Sequence, residues 1–148
     1  MSLMNVGQIL GVALRTAARG PMREVSILEV ARDGTLTGDH GASVNRAITF
    51  LSSGQWRAVQ QELQVELPWH TRRANLLVEC DSLENLVGKT VRVGSVEVVI
   101  SGETEPCARM EELHPGLLEA LVPHMRGGVH ARVSKGGTIQ IGDPLVLL

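Results

Sequence analysis

The sequence predicts a mainly β domain with a few helices, folded as a small closed or strongly bent β-barrel. Three observations carry this expectation. Short apolar stretches compatible with β-strands recur along the chain, and glycine-bearing turns separate them. Helical spacing is confined to one or two segments. The regular strand–helix alternation of a Rossmann fold is missing, as are its GxGxxG fingerprint and the GxxxxGK[ST] phosphate loop. The chain has 148 residues, the length of one domain. A chain of that length buries about 70% of the surface its unfolded form exposes, enough for a core without metal or disulfide staples. Residues 4–148 read as this single domain, and Met1-Ser2-Leu3 ahead of Met4 reads as a cloning remnant.

The elements follow in order. Val6–Arg15 is dense in apolar residues and predicts a first strand; Arg19-Gly20-Pro21 is a loop signal. Arg23–Ala31 alternates with a period near two and predicts a second strand, closed by the Asp33-Gly34 turn pair. After a polar loop, Ala47–Leu51 is a short apolar run. Ser52 or Ser53 can cap a helix running towards Leu67, with Trp56, Val59, Gln60 and Leu63 on one face and Pro68 just past the end. Leu76–Val78 reads as a buried strand. Asp81 or Ser82 can cap a short helix over Leu83–Val87, which Gly88 ends. Thr90–Ile100 predicts a hairpin around Gly94-Ser95, and Glu112–Val122 a short helix interrupted at Pro115. Gly128–Val133 and Thr138–Leu148 flank Gly136-Gly137, which predicts a last hairpin.

Composition excludes several function classes. Net charge is only −2, and Phe50, Trp56 and Trp69 are the sole aromatics, so neither an electrostatic grip on nucleic acid nor a base-stacking platform is in view. No apolar run approaches the roughly 20 residues of a membrane helix, and no signal peptide is visible, which points to the cytoplasm. Cys80 and Cys107 are far apart and form no CxxC, so a disulfide framework or a zinc knuckle has no support. Among 14 basic residues only Lys89 and Lys135 are lysine. That skew reflects either genome composition or the use of arginine's planar fork on phosphate.

Four clusters could carry chemistry. Gly38-Asp39-His40-Gly41, with Asn45-Arg46 behind it, packs an acid, an imidazole and a guanidinium into a glycine-bearing loop; on residue types alone it reads first as a surface turn held by an Asx bond of Asp39. Thr71-Arg72-Arg73-Ala74-Asn75 stands at the mouth of the strand Leu76–Val78 and could bind an anion, or equally be a solvated charge pair at a strand edge. On an extended chain neighbouring side chains point to opposite sides, so only one of Arg72 and Arg73 should face a given pocket. Glu103-Thr104-Glu105-Pro106-Cys107-Ala108-Arg109 places a cysteine in a loop beside a cation, and a cation favours thiolate, the nucleophile and soft metal ligand. Glu103 and Glu105 oppose that effect, and a bystander cysteine is the plain alternative. Cys80 reads as a small apolar packing residue. Arg126-Gly127-Gly128-Val129-His130-Ala131-Arg132 could form an anion nest, or simply a loop before a strand. No HExxH and no serine-hydrolase elbow is present.

Taken in order, these clusters resemble the MOSC domain, the module at the C-terminus of molybdenum cofactor sulfurases. The resemblance runs from Leu36-Thr37-Gly38-Asp39-His40 and Arg46, through Arg72–Glu79, Gly88 and Gly94, to Pro106-Cys107. It continues over Arg126–Val133 and closes with Gly136-Gly137-Thr138-Ile139 and Ile141-Gly142-Asp143. It implies a β-barrel with peripheral helices and binding of the molybdenum cofactor, a phosphate-bearing pterin that purification can strip. It further implies that Cys107 is the molybdenum ligand or sulfur carrier, and that Arg73 and Asn75, as an Arg-x-Asn element, grip the pterin phosphate. Arg72, Arg46, Asp39, His40, Arg126, Gly127 and Gly128 are the other cofactor-facing candidates. Two departures stand out: His40 follows Asp39 directly, where family members often place it one residue later, and Ala74 stands where many relatives have Pro or Glu. The resemblance does not extend to the additional N-terminal barrel and C-terminal helices of longer family enzymes.

Three functions are compatible with this resemblance. The first is a molybdenum-dependent oxidoreductase acting on small N-hydroxylated or N-oxide substrates, with electrons from a separate electron-donor protein. The second is a sulfur carrier, in which Cys107 takes a persulfide from a cysteine desulfurase. With only two lysines, a self-contained pyridoxal-phosphate desulfurase is not expected. The third is a non-catalytic cofactor-binding module.

Overall fold

One long strand organises the barrel. In the computed structural model, which describes residues 3–40 and 46–148, β1 (Met4–Arg15) is shared among three partners. Its first part pairs with β10 (Pro144–Leu147) and its middle, on the other edge, with β5 (Leu76–Glu79); its last part pairs with β2 (Met22–Val25). Register shifts between Asn5 and Gly7 and between Ile9 and Gly11 mark bulges, which bend a strand enough to let a sheet close on itself. The other barrel strands are β4 (Ile48–Ser52), β6 (Thr90–Val93), β7 (Val96–Glu103) and β8 (Val129–Lys135). The ring runs β1–β5–β4–β8–β7–β6–β10 and back to β1, a closed barrel of seven strands. A two-stranded ribbon of β3 (Ile27–Val30) and β9 (Gly137–Gln140) adds Leu28, Val30 and Ile139 to the barrel core.

All five residues of β4 are buried, because both of its faces are covered. Phe50 belongs to the barrel core, while Leu51 joins a second cluster with Trp56, Val59, Met110, Leu117 and Leu121 under the helices. Those helices are α1 (Ser53–Leu63), α2 (Ala108–Leu113) and α3 (Leu117–Leu121). β4 and β5 are parallel, and α1 makes the crossover that parallel neighbours require. Ser52 caps α1 by accepting from the Gln55 amide at 3.2 Å and donates its hydroxyl to the Cys80 carbonyl at 2.7 Å.

Four expectations are corrected. The second strand breaks at Ser26: Met22–Val25 pairs with β1, while Ile27–Val30 turns away to pair with β9. The last hairpin does not form, since β8 pairs with β4 and β7; the remaining segment splits at the Ile141-Gly142-Asp143 turn into β9 and β10. α1 stops at Leu63 rather than near Leu67, because Gln64 enters the left-handed region and the Gln60 side chain takes up the Leu67 amide at 2.9 Å. The helix foreseen over 112–122 is two short helices parted at Pro115-Gly116, the first beginning at Ala108. Among the described residues no helix is long and apolar enough to cross a membrane.

Candidate functional site

The end of β1, the β1–β2 loop, the turn ahead of β5 and the start of α2 meet around a cavity of about 340 Å³. That volume lies at the low end of the range for ligand pockets, about 300–1,000 Å³. Five arginines line it: Arg15, Arg19, Arg72, Arg73 and Arg109. Thr49, Thr104, Met110 and Gly127 complete much of the wall, and Cys107 is exposed on it. No carboxylate is among the lining residues. A larger groove of about 720 Å³ runs past the end of α1, but its wall is mainly glutamine and aliphatic side chains and carries no thiol.

Local backbone geometry brings Arg72 and Arg73 to the same cavity, against the expectation that only one would face it. The segment is not extended: Trp69–Arg72 is a single 3-10 turn, and Arg73 follows it in the left-handed region at φ 66°. Arg72 is buried and spends its whole fork on the protein. Nε donates to the Gly127 carbonyl at 2.9 Å, Nη2 to the Thr104 carbonyl at 2.8 Å, and Nη1 faces Met110 Sδ at 3.8 Å. Burial pulls its guanidinium down to about 10, with the charges of Cys107 and Glu103 acting in the opposite direction. Arg73 donates Nη1 to the Gly20 carbonyl at 2.6 Å and Nη2 to that of Ala17 at 3.1 Å, fastening the β1–β2 loop. Burial lowers its pKa as well, helped by neighbouring Arg109 and Arg15 and opposed by Asp39.

Cys107 sits immediately before α2, where its carbonyl accepts from the Met110 amide at 2.9 Å. Thr104 and Arg109, which line the cavity, each hold one buried polar atom, Oγ1 and Nε, with no hydrogen-bond partner among the described residues. Such groups are costly to leave unpaired. The sequence pattern of the MOSC domain matches residues 37–146. The chain belongs to the MOSC domain family.

MOSC domains are associated with the molybdenum cofactor. The fold of this MOSC domain is similar to that of the YuaD protein from Bacillus subtilis, with a TM-score of 0.84, 17% identity, and coverage of 99% of this chain and 98% of the other. It is also similar to YiiM from Geobacillus stearothermophilus (TM-score 0.71, 18% identity, 99% of this chain and 75% of the other). YiiM from Escherichia coli gives a TM-score of 0.72 at 17% identity, over 95% of this chain and 69% of the other. No curated protein matches the sequence.

The structure gathers some of the MOSC candidates and scatters others. Cys107, Arg72, Arg73 and Gly127 line the cavity. Asn75 does not: it is fully buried beneath it, with Oδ1 accepting from the Thr49 amide and hydroxyl at 3.1 Å each and Nδ2 donating to the Ala13 carbonyl at 3.2 Å. Asp39 is no surface turn residue; its carboxylate is 1% exposed and pairs with Arg15 at 2.9 Å. His40 and Arg46 are exposed and are not among the lining residues, while Gly41 and Asn45 lie outside the described residues. Arg126 ties α1 to α3 through Glu62 at 2.8 Å and the Ala120 carbonyl at 3.2 Å. The anion nest is not offered by Gly128, whose amide is bound to the Met125 carbonyl at 2.9 Å. Its φ of 95° and its close approach to the Phe50 carbonyl explain the glycine instead. Sequence reasoning missed Arg15 and Arg19: Arg15 showed only as an arginine ending an apolar strand, and Arg19 only as part of the Arg19-Gly20-Pro21 loop signal.

Proposed function

We propose that this MOSC domain binds the molybdenum cofactor in the arginine cavity, with Cys107 as the protein's sulfur contact to it. One observation carries the reading: a single cavity combines five arginines and an exposed thiol, with no carboxylate among its lining residues. The donor set fits the group. Arginine N–H groups suit anionic oxygens, and a thiolate suits a soft metal. Among the described residues no cluster of three His, Cys, Asp or Glu could hold a metal ion, so a metal would arrive already ligated and take one sulfur from Cys107. When bound, the cofactor would supply two-electron redox chemistry. In the oxidoreductase reading the substrate is a small N-hydroxylated or N-oxide compound, reduced with two electrons from a separate electron-donor protein and two protons, releasing water.

The exposure of Cys107 favours a second reading, that of a sulfur carrier. The terminal sulfur of a cysteine desulfurase persulfide would move to Cys107, leaving the donor's thiol behind, and would then pass to the cofactor or another acceptor. Elemental analysis for molybdenum after cofactor loading separates the readings. Metal held by the wild type and lost from Cys107→Ser supports the ligand role. Metal held by both leaves a binding module in which Cys107 is dispensable. Metal in neither overturns molybdenum binding, and mass spectrometry after incubation with a desulfurase then decides whether Cys107 gains one sulfur atom.

A further inference from the structure

The arginines of the cavity are not equally available. Arg72 is spent on backbone carbonyls, and Arg73 on those of the β1–β2 loop. Arg15 is committed to the buried Asp39 carboxylate through Nη2 at 2.9 Å and Nε at 3.4 Å. Recruiting any of these three for a ligand would break contacts that hold the barrel to its loops. Arg19 and Arg109 differ. Among the described residues each makes one side-chain hydrogen bond, from Nη1 at 3.3 Å, and both reach the same atom, Glu112 Oε2. An arginine carries five N–H donors, so most of theirs are uncommitted.

We propose that Arg19 and Arg109 are the anion-binding pair of this cavity, and that Glu112, which lies outside its wall, is the pair's resident counter-ion, which a phosphate or phosphate-ester group displaces. The inference rests on the reading of the cavity as an anion site, but not on molybdenum. Glu112 lies on α2 and Arg19 on the loop between β1 and β2, so the shared carboxylate bridges two separate parts of the chain. The Arg19 side chain is 70% exposed and that of Glu112 49%, and exposed pairs of this kind are weak and easily exchanged. A phosphate brings more charge than a carboxylate and more oxygens for two guanidinium forks. Arg19, Arg73 and Arg109 also line a neighbouring cavity of about 260 Å³ that reaches His70 and Leu113. A group held between Arg19 and Arg109 would therefore face both cavities, and the rest of the ligand could extend into either.

The test is titration with inorganic phosphate at low salt, followed by calorimetry, on the wild type, Glu112→Gln, Arg19→Gln and Arg109→Gln. Glu112→Gln keeps the side chain's size and removes the competing charge. It is expected to tighten phosphate binding by about three- to ten-fold. Arg19→Gln and Arg109→Gln are each expected to weaken binding several-fold, and Arg19→Gln, on an exposed loop side chain, leaves the fold intact for comparison. Phosphate binding that is equal or weaker in Glu112→Gln overturns the counter-ion role while leaving the cavity an anion site. Absence of phosphate binding in every variant overturns both this inference and the reading it rests on.

Discussion

Arg72 Nε donates to the Gly127 carbonyl at 2.9 Å, joining the turn ahead of β5 to the segment that enters β8, 55 residues later. The same guanidinium holds the Thr104 carbonyl at 2.8 Å, so one buried side chain positions the strap that carries Cys107. Arg72→Met should leave those carbonyls unpaired and cost about 3 kcal/mol of stability. Arg72→Lys should recover only part of this, because an ammonium cannot reproduce the planar fork. Urea unfolding of the three proteins measures the difference; equal midpoints would show that the fork is not what holds the strap.

Asn75 illustrates how a residue can matter to a site without touching its ligand. Its side chain joins β4 through Thr49, β1 through the Ala13 carbonyl, and Asp39 through a 3.4 Å contact. Asn75→Ala should destabilise by about 2–4 kcal/mol. Asn75→Asp should be worse at neutral pH, since it sets a second carboxylate beside Asp39. Burial and the like charge would raise the pKa of that new carboxylate, so it becomes neutral as pH falls and its excess penalty shrinks. Thermal melts at pH 8 and pH 5 check the sign. An excess penalty that does not change with pH would mean the introduced carboxylate escapes to solvent.

The barrel was legible because each strand announces itself locally. Val91, Val93, Val96 and Val98 around Gly94-Ser95 give a hairpin that the structure reproduces. What local pattern cannot show is partner choice. Ser26 interrupts a continuous alternation because the two halves pair with β1 and β9, which are distant from each other in sequence. The site follows the same logic. Cys107 and the Arg72-Arg73 pair were visible as unusual residue types, yet the commitment of those arginines to backbone carbonyls depends on loops more than 30 residues away. Arg19 reaches the cavity only because barrel closure carries the β1–β2 loop to α2, 93 positions along the chain.

Two glycines with similar backbones should respond differently to the same substitution. Gly88 has φ 85° and open space where a Cβ would stand, so Gly88→Ala pays only for the left-handed backbone, about 1–2 kcal/mol. Gly128 has φ 95°, but its Cβ would overlap the Phe50 carbonyl on the neighbouring strand β4. Gly128→Ala should therefore cost about 3 kcal/mol or more and displace the Gly127 carbonyl that Arg72 holds. Calorimetric melting of both variants compares them directly, and a similar loss in each would mean that the contact with β4 relaxes freely.

The two cysteines should separate cleanly in their chemistry. Cys107 is exposed, whereas Cys80 is half-buried against the barrel core, and burial pushes its thiol up from the usual value of 9.0. At pH 7 iodoacetamide should therefore modify Cys107 first in the native protein, with Cys80 following only when the fold opens. The shift on Cys80 also fixes a pH trend. A thiol whose pKa is raised in the folded state holds its proton there after the unfolded chain has lost it. Its contribution to stability is complete below pH 9.0 and is lost as pH rises from 9.0 through the folded value. Cys80→Ala should flatten the alkaline fall in stability, whereas Cys107→Ala should leave the slope contributed by Cys80 in place. Peptide mapping after timed labelling, together with denaturant midpoints from pH 7 to pH 10.5, tests both halves, and faster labelling of Cys80 would overturn the assignment.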